Sequence, residues 1–329
     1  MAGTMKAAIC NEFGPIEQLR IEATVVPEAQ PGQVVIDVAA AGVNFPDGLM
    51  VQGKYQTKPP FPFTPGSEAA GTVRALGAGV EGFRIGQRVV AFCGIGGYAE
   101  VVSAPANQVY ALPDNVDFVP AAGLLITYGT SYHALRDRAR LQAGETLLVL
   151  GAAGGVGLTA VELGKLMGAR VIAVASSADK LALARDYGAD ELIDYSSEDL
   201  RERVKALTGG RGVDVVYDPV GGAHTEAAVK SLAWGGRHLV IGFAAGDIPK
   251  VGANLLLLKS ADLLGVLWGV SLKHDPVHHA ANIATLLDHC AAGRLRPHIS
   301  ETYPLARAVD GLARVMNRQA KGKVVLTID

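Results

Sequence analysis

Thr146-Leu147-Leu148-Val149-Leu150-Gly151-Ala152-Ala153-Gly154-Gly155-Val156-Gly157 is the stretch whose reading decides the fold. Its first five residues are a short apolar run of the kind a buried strand makes. Leu158 to Met167 follows with apolar residues at helical spacing, and Arg170 to Ala175 is a second apolar run ending in Ser176-Ser177. Strand, glycine turn, helix and strand in that order make a βαβ unit. The glycines have separable jobs. A dinucleotide's pyrophosphate sits on backbone N–H groups at a helix start, where partial positive charge collects. Gly154 has no side chain to block that approach, and Gly157 lets the helix pack closely on the sheet. Ala152 stands where the G-x-G-x-x-G pattern has its first glycine, a departure.

The end of the second strand chooses between cofactors. NAD sites put an Asp or Glu there to take the ribose 2′-hydroxyl. This chain has Ser176, Ser177, Ala178, Asp179 and Lys180. An acid at the strand tip would repel a 2′-phosphate, whereas two hydroxyls and a lysine would bind one. NADPH is therefore expected rather than NADH. The plainer alternative has Ser177 capping the next helix and Lys180 in solvent, with Asp179 in its favour.

Working outward, the alternation of strand and helix continues to the C-terminal side. Strands are expected near 147–150, 170–175, 191–194, 213–217, 237–242 and 262–267, which makes a doubly wound parallel sheet of six strands, an α/β fold. On the N-terminal side, residues 6–112 are β-rich. Short strands at 6–10, 33–40, 69–76, 88–92 and 98–103 alternate with glycine and proline turns, as in a compact barrel-like domain. Asn44-Phe45-Pro46-Asp47 interrupts them, and Pro46 suits a helix's first turn, which puts Asn44 and Asp47 at a helix entrance beside a loop running to Tyr55. Residues 120–138 read as helical, 275–292 as another helix, and 302–328 as mixed.

The 329 residues are 49% hydrophobic and 19% charged, with a net charge of −2, so the chain is globular and has no basic block for nucleic acid. No apolar run reaches the length of a membrane span. The start, Met1-Ala2-Gly3-Thr4-Met5-Lys6, carries no apolar signal segment, so a cytoplasmic protein is expected, and Met5 is a candidate natural start. Cys10, Cys93 and Cys290 are too dispersed for a disulfide framework or a metal-ligand spacing.

Taken together, several segments carry a resemblance over nearly the whole length. They are Ala41 to Asp47, Pro65 to Gly71, Gly86-Gln87-Arg88-Val89, Gly151 to Gly157, Val174 to Ser177 with Lys180, Gly188 to Tyr195, Asp214 to Asp218 with Gly221-Gly222, and Gly265 to Gly269. The chain resembles the zinc-free, ζ-crystallin-like quinone oxidoreductase branch of the medium-chain dehydrogenases/reductases. The resemblance implies a GroES-like catalytic domain from both chain ends, residues 1–123 and 269–329, and a Rossmann NADP-binding domain at 124–268. It also implies NADPH-dependent reduction of a quinone or an activated C=C such as an enone. A 2-enoyl thioester reductase and a non-catalytic NADPH-binding protein are the alternatives.

Zinc alcohol dehydrogenases hold their metal through a Cys after the first-domain glycine, a Gly-His-Glu and a distant Cys. Here Asn44 replaces the Cys, Gly66-Ser67-Glu68 lacks the His, and the four-Cys lobe is missing, so no metal is expected and Glu68 is expected to be structural. His274, His278 and His279 are expected to form an exposed helical face without a metal. Tyr55 matches the position where related enoyl thioester reductases keep a proton-donating tyrosine, although an aromatic pocket wall is the equal alternative. Asn44 and Asp47 would shape its pocket. The family's cofactor contacts carry over as Thr127 at the nicotinamide ribose; Gly154, Gly155 and Val156 at the pyrophosphate; Ser176, Lys180, Tyr195 and Arg318 around the 2′-phosphate; and Phe243, Leu267 and Trp268 at the nicotinamide. Trp268 could equally be core. The last Rossmann strand, Ala261 to Leu267, is apolar and expected at a sheet edge, where a second copy would pair with it in a homodimer.

Overall fold

A computed structural model describes residues 3–328; the N-terminal reading of Met1 and Ala2 and the end at Asp329 lie outside the described residues. The chain divides into two compact units, one of residues up to Ile126 together with those from Ser271 onward, the other Thr127–Val270.

The second unit is a six-stranded parallel sheet. Its order is Glu191–Asp194, Arg170–Ala175, Thr146–Leu150, Val213–Asp218, Leu232–Val240, Asp262–Gly265. Every residue of Thr146–Leu150 is buried, as a parallel strand covered on both faces requires. Helix Gly155–Leu166 lies between the first two strands in sequence and buries eight consecutive residues, Gly157 to Gly164. Two strands differ from expectation. The fifth begins at Leu232 rather than 237, because Gly235, with φ +71°, passes through a bend that reads as a turn while the strand continues. The sixth ends at Gly265 rather than 267: Val266 still donates to Val240, but Leu267 leaves the edge and Trp268 opens a helix, Trp268–His274. A short helix, Ala253–Leu257, lies between these two strands in sequence.

The first unit is built on a seven-stranded sheet. Its path is Ile299–Pro304, Lys323–Thr327, Gln33–Val43, Glu68–Leu76, Arg88–Phe92, Val109–Ala111, and Val101–Pro105 also pairs with Gln33–Val43. A separate hairpin joins Thr4–Ile9 to Arg20–Val25. The strands at 20–25 and 109–111 escaped the sequence reading, and the strand placed at 98–103 runs from Val101 to Pro105. Gln33–Val43 is the pivot. Its first half pairs with Val101–Pro105 and its second half with the C-terminal strand, on the side opposite Glu68–Leu76. Gly42 therefore faces Glu68, Val43 faces Val324, and the chain turns at Asn44 into helix Phe45–Val51, which has Pro46 in its first turn. Residues from three distant stretches meet at that corner.

Candidate active site

The second unit carries the glycine cradle. Gly151 holds the tight turn with φ +59°, a left-handed conformation that suits glycine. Ala152, read from sequence as the displaced first glycine, is fully buried and donates its N–H to Val174 at 3.0 Å, so it needs no such freedom. A Cβ on Gly157 would sit 2.1 Å from the Gly151 carbonyl oxygen, so only glycine lets the helix start this close to the turn. Gly154 is the N-cap of the twelve-residue helix that begins at Gly155 and Val156. The Val156 carbonyl accepts from Ser131 and Thr159, and Thr159 also donates to the carbonyl of the buried Thr127 at 3.1 Å.

At the second strand's tip, Lys180 Nζ donates to Ser176 Oγ at 3.3 Å, so these two side chains stand together, half-buried. Ser177 occupies the N-cap position of helix Ala178–Asp186, but its hydroxyl turns to the Asp179 carboxylate and not to the helix backbone. Tyr195 lies half-buried with its ring 4.5 Å from that of His224. Phe243 and Leu267 are 37% and 49% exposed, whereas Trp268 is buried with its ring where a Cβ on Gly129 would stand, 2.6 Å away. Arg318 belongs to the first unit. It is exposed at the end of helix Ala308–Met316 with φ +58°, a conformation that arginine rarely takes.

The corner of the first unit assembles two buried clusters on Asn44 and Asp47. In one, the Asp47 carboxylate accepts from Ser67 Oγ at 2.6 Å, from Tyr98 OH at 2.9 Å and from the Asn44 N–H at 3.0 Å. Burial pushes the Asp47 carboxyl up to about 6, although these hydrogen bonds and the Lys323 charge pull it down. Burial and the Asp47 charge raise the Tyr98 phenol well above its ordinary range. In the other cluster, Lys323 Nζ donates to Asn44 Oδ1 at 2.7 Å, Glu68 Oε1 at 2.8 Å and the Val43 carbonyl at 3.0 Å. Asn44 Nδ2 donates to Glu68 Oε1 at 3.0 Å and to the Gly42 carbonyl at 3.2 Å. Glu68 Oε2 accepts the Ile126 N–H at 3.0 Å. A Cβ on Gly42 would lie 2.3 Å from Glu68 Oε1, so this corner closes only over glycine. Tyr55 is half-buried on the loop after the helix, and its phenol is raised by burial and then by the Asp47 charge.

This donor set does not fit zinc. The amide of Asn44 and the hydroxyl of Ser67 are engaged with neighbours, and Glu68 already neutralises an ammonium. Burial and the nearby Asp47 charge hold the Cys93 thiol far above its usual range. The histidine expectation needs correction: His279 is buried, on the same face of helix Pro276–Ala291 as Ile283 and Leu286, and His278 bonds Asn282, leaving His274 as the exposed member. Tyr98 and Lys323 went unnoticed in the sequence. For Lys323 a signal existed, a charged residue opening the apolar run Val324-Val325-Leu326.

Known proteins resemble this chain over nearly its whole length. Residues 155–283 match the family described as "Zinc-binding dehydrogenase" and residues 30–114 the "Alcohol dehydrogenase GroES-like domain". The "Quinone oxidoreductase-like protein 2 homolog" of Nematostella vectensis is 38% identical over 325 residues, 98% of this chain and 88% of that protein. The "Quinone oxidoreductase" of Rattus norvegicus is 34% identical over 327 residues, 98% of each chain. A mycobacterial protein solved in complex with NADPH superposes with a TM-score of 0.92 at 33% identity, over 98% of this chain and 99% of that one. With its GroES-like and Rossmann units and its corner of Asn44, Ser67 and Glu68, the chain belongs to the zinc-free quinone oxidoreductase family of medium-chain dehydrogenases/reductases.

Proposed function

We propose that this protein is an NADPH-dependent reductase of quinones or activated C=C bonds such as enones. The observation that carries the reading is the corner at Asn44. An amide, a hydroxyl and a carboxylate–ammonium pair fill the place where a Lewis-acid metal would need ligands. Alcohol chemistry through a metal alkoxide has no foothold there. An acceptor that is already electron-poor needs only a hydride and a proton.

The glycine cradle and the strand tip fit NADPH, which when bound supplies the hydride. Gly155 and Val156 offer backbone N–H groups to its pyrophosphate, Gly154, whose own N–H bonds the Gly151 carbonyl, leaves room for it, Gly157 keeps that approach tight, and Thr127 meets the nicotinamide ribose. Ser176 and Lys180, with Ser177 and Tyr195, take the 2′-phosphate; the side-chain bond between Ser176 and Lys180 supports this assignment. Phe243, Leu267 and Trp268 border the nicotinamide. Tyr55 donates the proton to the developing oxyanion, and its raised phenol keeps the proton until charge appears. A 2-enoyl thioester reductase is the second reading, favoured by the same tyrosine.

The exposed edge of the sixth strand supports a homodimer paired through it. Asp262–Gly265 is the last strand of its sheet, and Leu263 on it is 40% exposed. Such an edge is normally covered. NADPH oxidation over a panel of quinones, enones and enoyl-CoA esters tests the function. Turnover with quinones or enones is expected. Turnover with enoyl-CoA esters alone establishes the second reading, and tight NADPH binding without turnover establishes a binding protein.

A further inference from the structure

We propose that Glu68 and Lys323 are positioning residues for hydride transfer, acting through Asn44 and through the backbone at Ile126; this rests on the reductase reading above. The side chains of Glu68 and Lys323 are 0% and 5% exposed. An ammonium has three donors, and Lys323 spends all three inside the corner, one on Glu68, one on Asn44 and one on Val43. Glu68 in turn gives Oε1 to Lys323 and Asn44, and Oε2 to the Ile126 N–H. Both amide atoms of Asn44 are thereby fixed, so its side chain cannot rotate without breaking a bond to a charged partner. The same carboxylate pins Ile126, the last residue of the first unit before the chain passes to Thr127.

A buried ion pair is often no better for stability than an apolar pair of similar volume. What it offers here is direction. The C-terminal strand pairs with the end of Gln33–Val43 and brings Lys323 to Asn44 across 279 residues of sequence, where it orients a residue beside Asp47 and the helix leading to Tyr55.

The test uses the full chain, with Asn44→Ala, the paired variant Glu68→Met/Lys323→Met, and all three substitutions combined. Single-turnover stopped flow with NADPH and the best acceptor of the panel gives a rate constant and an amplitude. Loss of folded protein lowers the amplitude alone; misplacement lowers the rate constant. Asn44→Ala and the paired variant should each slow hydride transfer by about ten-fold or more, and the combination should slow it no further. NADPH affinity, read by fluorescence, should stay within about three-fold. In the cofactor-free protein the Ile126 amide should exchange with solvent about ten-fold faster in the paired variant. Rate constants that multiply in the combination, a loss confined to amplitude, or unchanged Ile126 exchange each overturn the proposal. If the wild type reduces no acceptor, the reductase reading fails, and Ile126 exchange with that of the Asn44 side-chain amide decides the positioning claim alone. Should the paired variant not fold, Glu68→Gln/Lys323→Met replaces it under the rate criteria alone, because a glutamine can still accept the Ile126 N–H.

Discussion

Replacing Asp47 with asparagine should change how stability depends on pH. Asp47 is 0% exposed, and its carboxyl titrates at about 6 instead of 3.8. Burial is the main cause; the bonds from Ser67, Tyr98 and Asn44 and the Lys323 charge oppose it without prevailing. Between these two values the folded protein keeps a proton that the unfolded chain has released. The stability this group contributes is therefore complete below the unfolded value and lost as pH rises through about 6. A displacement from 3.8 to about 6 corresponds to about 3 kcal/mol. Glu145, Asp190, Asp214, Asp218 and Glu301 are shifted downward and act in the opposite sense, so wild-type stability alone hides the effect. The difference between Asp47→Asn and wild type isolates it. The amide keeps the shape and takes no charge, and the penalty for turning its NH2 toward donors is the same at every pH. Relative to wild type, the variant should gain about 3 kcal/mol between about pH 4 and pH 7. Both tryptophans, Trp234 and Trp268, lie in the second unit, so unfolding of the first unit is best followed by amide exchange along Glu68–Leu76 in a urea series. The carboxyl carbon of Asp47 in an NMR titration gives the midpoint directly. A midpoint at or below 3.8, or a stability difference that is flat with pH, refutes the reasoning.

Lys180→Ala should weaken NADPH binding by about ten- to a hundred-fold, the range of a charged hydrogen bond to phosphate, and leave NADH nearly unchanged in a fluorescence titration. Equal loss for both would remove Lys180 from the 2′-phosphate. Tyr55→Phe should lower the stopped-flow rate of enone reduction by about 10²-fold and that of quinone reduction less, because a hydroquinone anion can wait for solvent. An unchanged enone rate would make the tyrosine a pocket wall. Leu263→Lys, at an exposed position of the edge strand, should convert a dimer to a monomer by light scattering; a wild type that is itself monomeric at micromolar concentration contradicts the edge-strand assembly.

Much of the second unit was legible because parallel strands covered on both faces must be continuous apolar runs. Thr146–Leu150 and Arg170–Ala175 lie where those runs do. The start of the fifth strand was misplaced because glycine marks turns and bends alike: Gly235-Gly236 hid the first residues of a strand that continues through them. At the corner of the first unit the same division recurs. The helix entrance at Asn44 and Asp47 is local, since proline in the first turn and an acid near the helix start act within one turn. Tyr98 and Lys323 arrive through tertiary structure, 51 residues from Asp47 and 279 from Asn44, and no local pattern announces which residues they meet.

Elementary electrostatics would nevertheless have found one of these contacts. Lys323 opens a strand whose next three residues are buried, and Glu68 opens another whose next three are buried. Neither charge can be buried alone, because the cost of stripping water from an ion exceeds what packing returns. An acid and a base in the same predicament each need a buried partner of opposite sign. Once Val324 is paired with Val43, and Gly42 with Glu68, the two charges flank the same corner, and the chain leaves that corner at Asn44. Strand register therefore determines which amide the ammonium meets, and through it how the residue beside the proposed acceptor site is oriented.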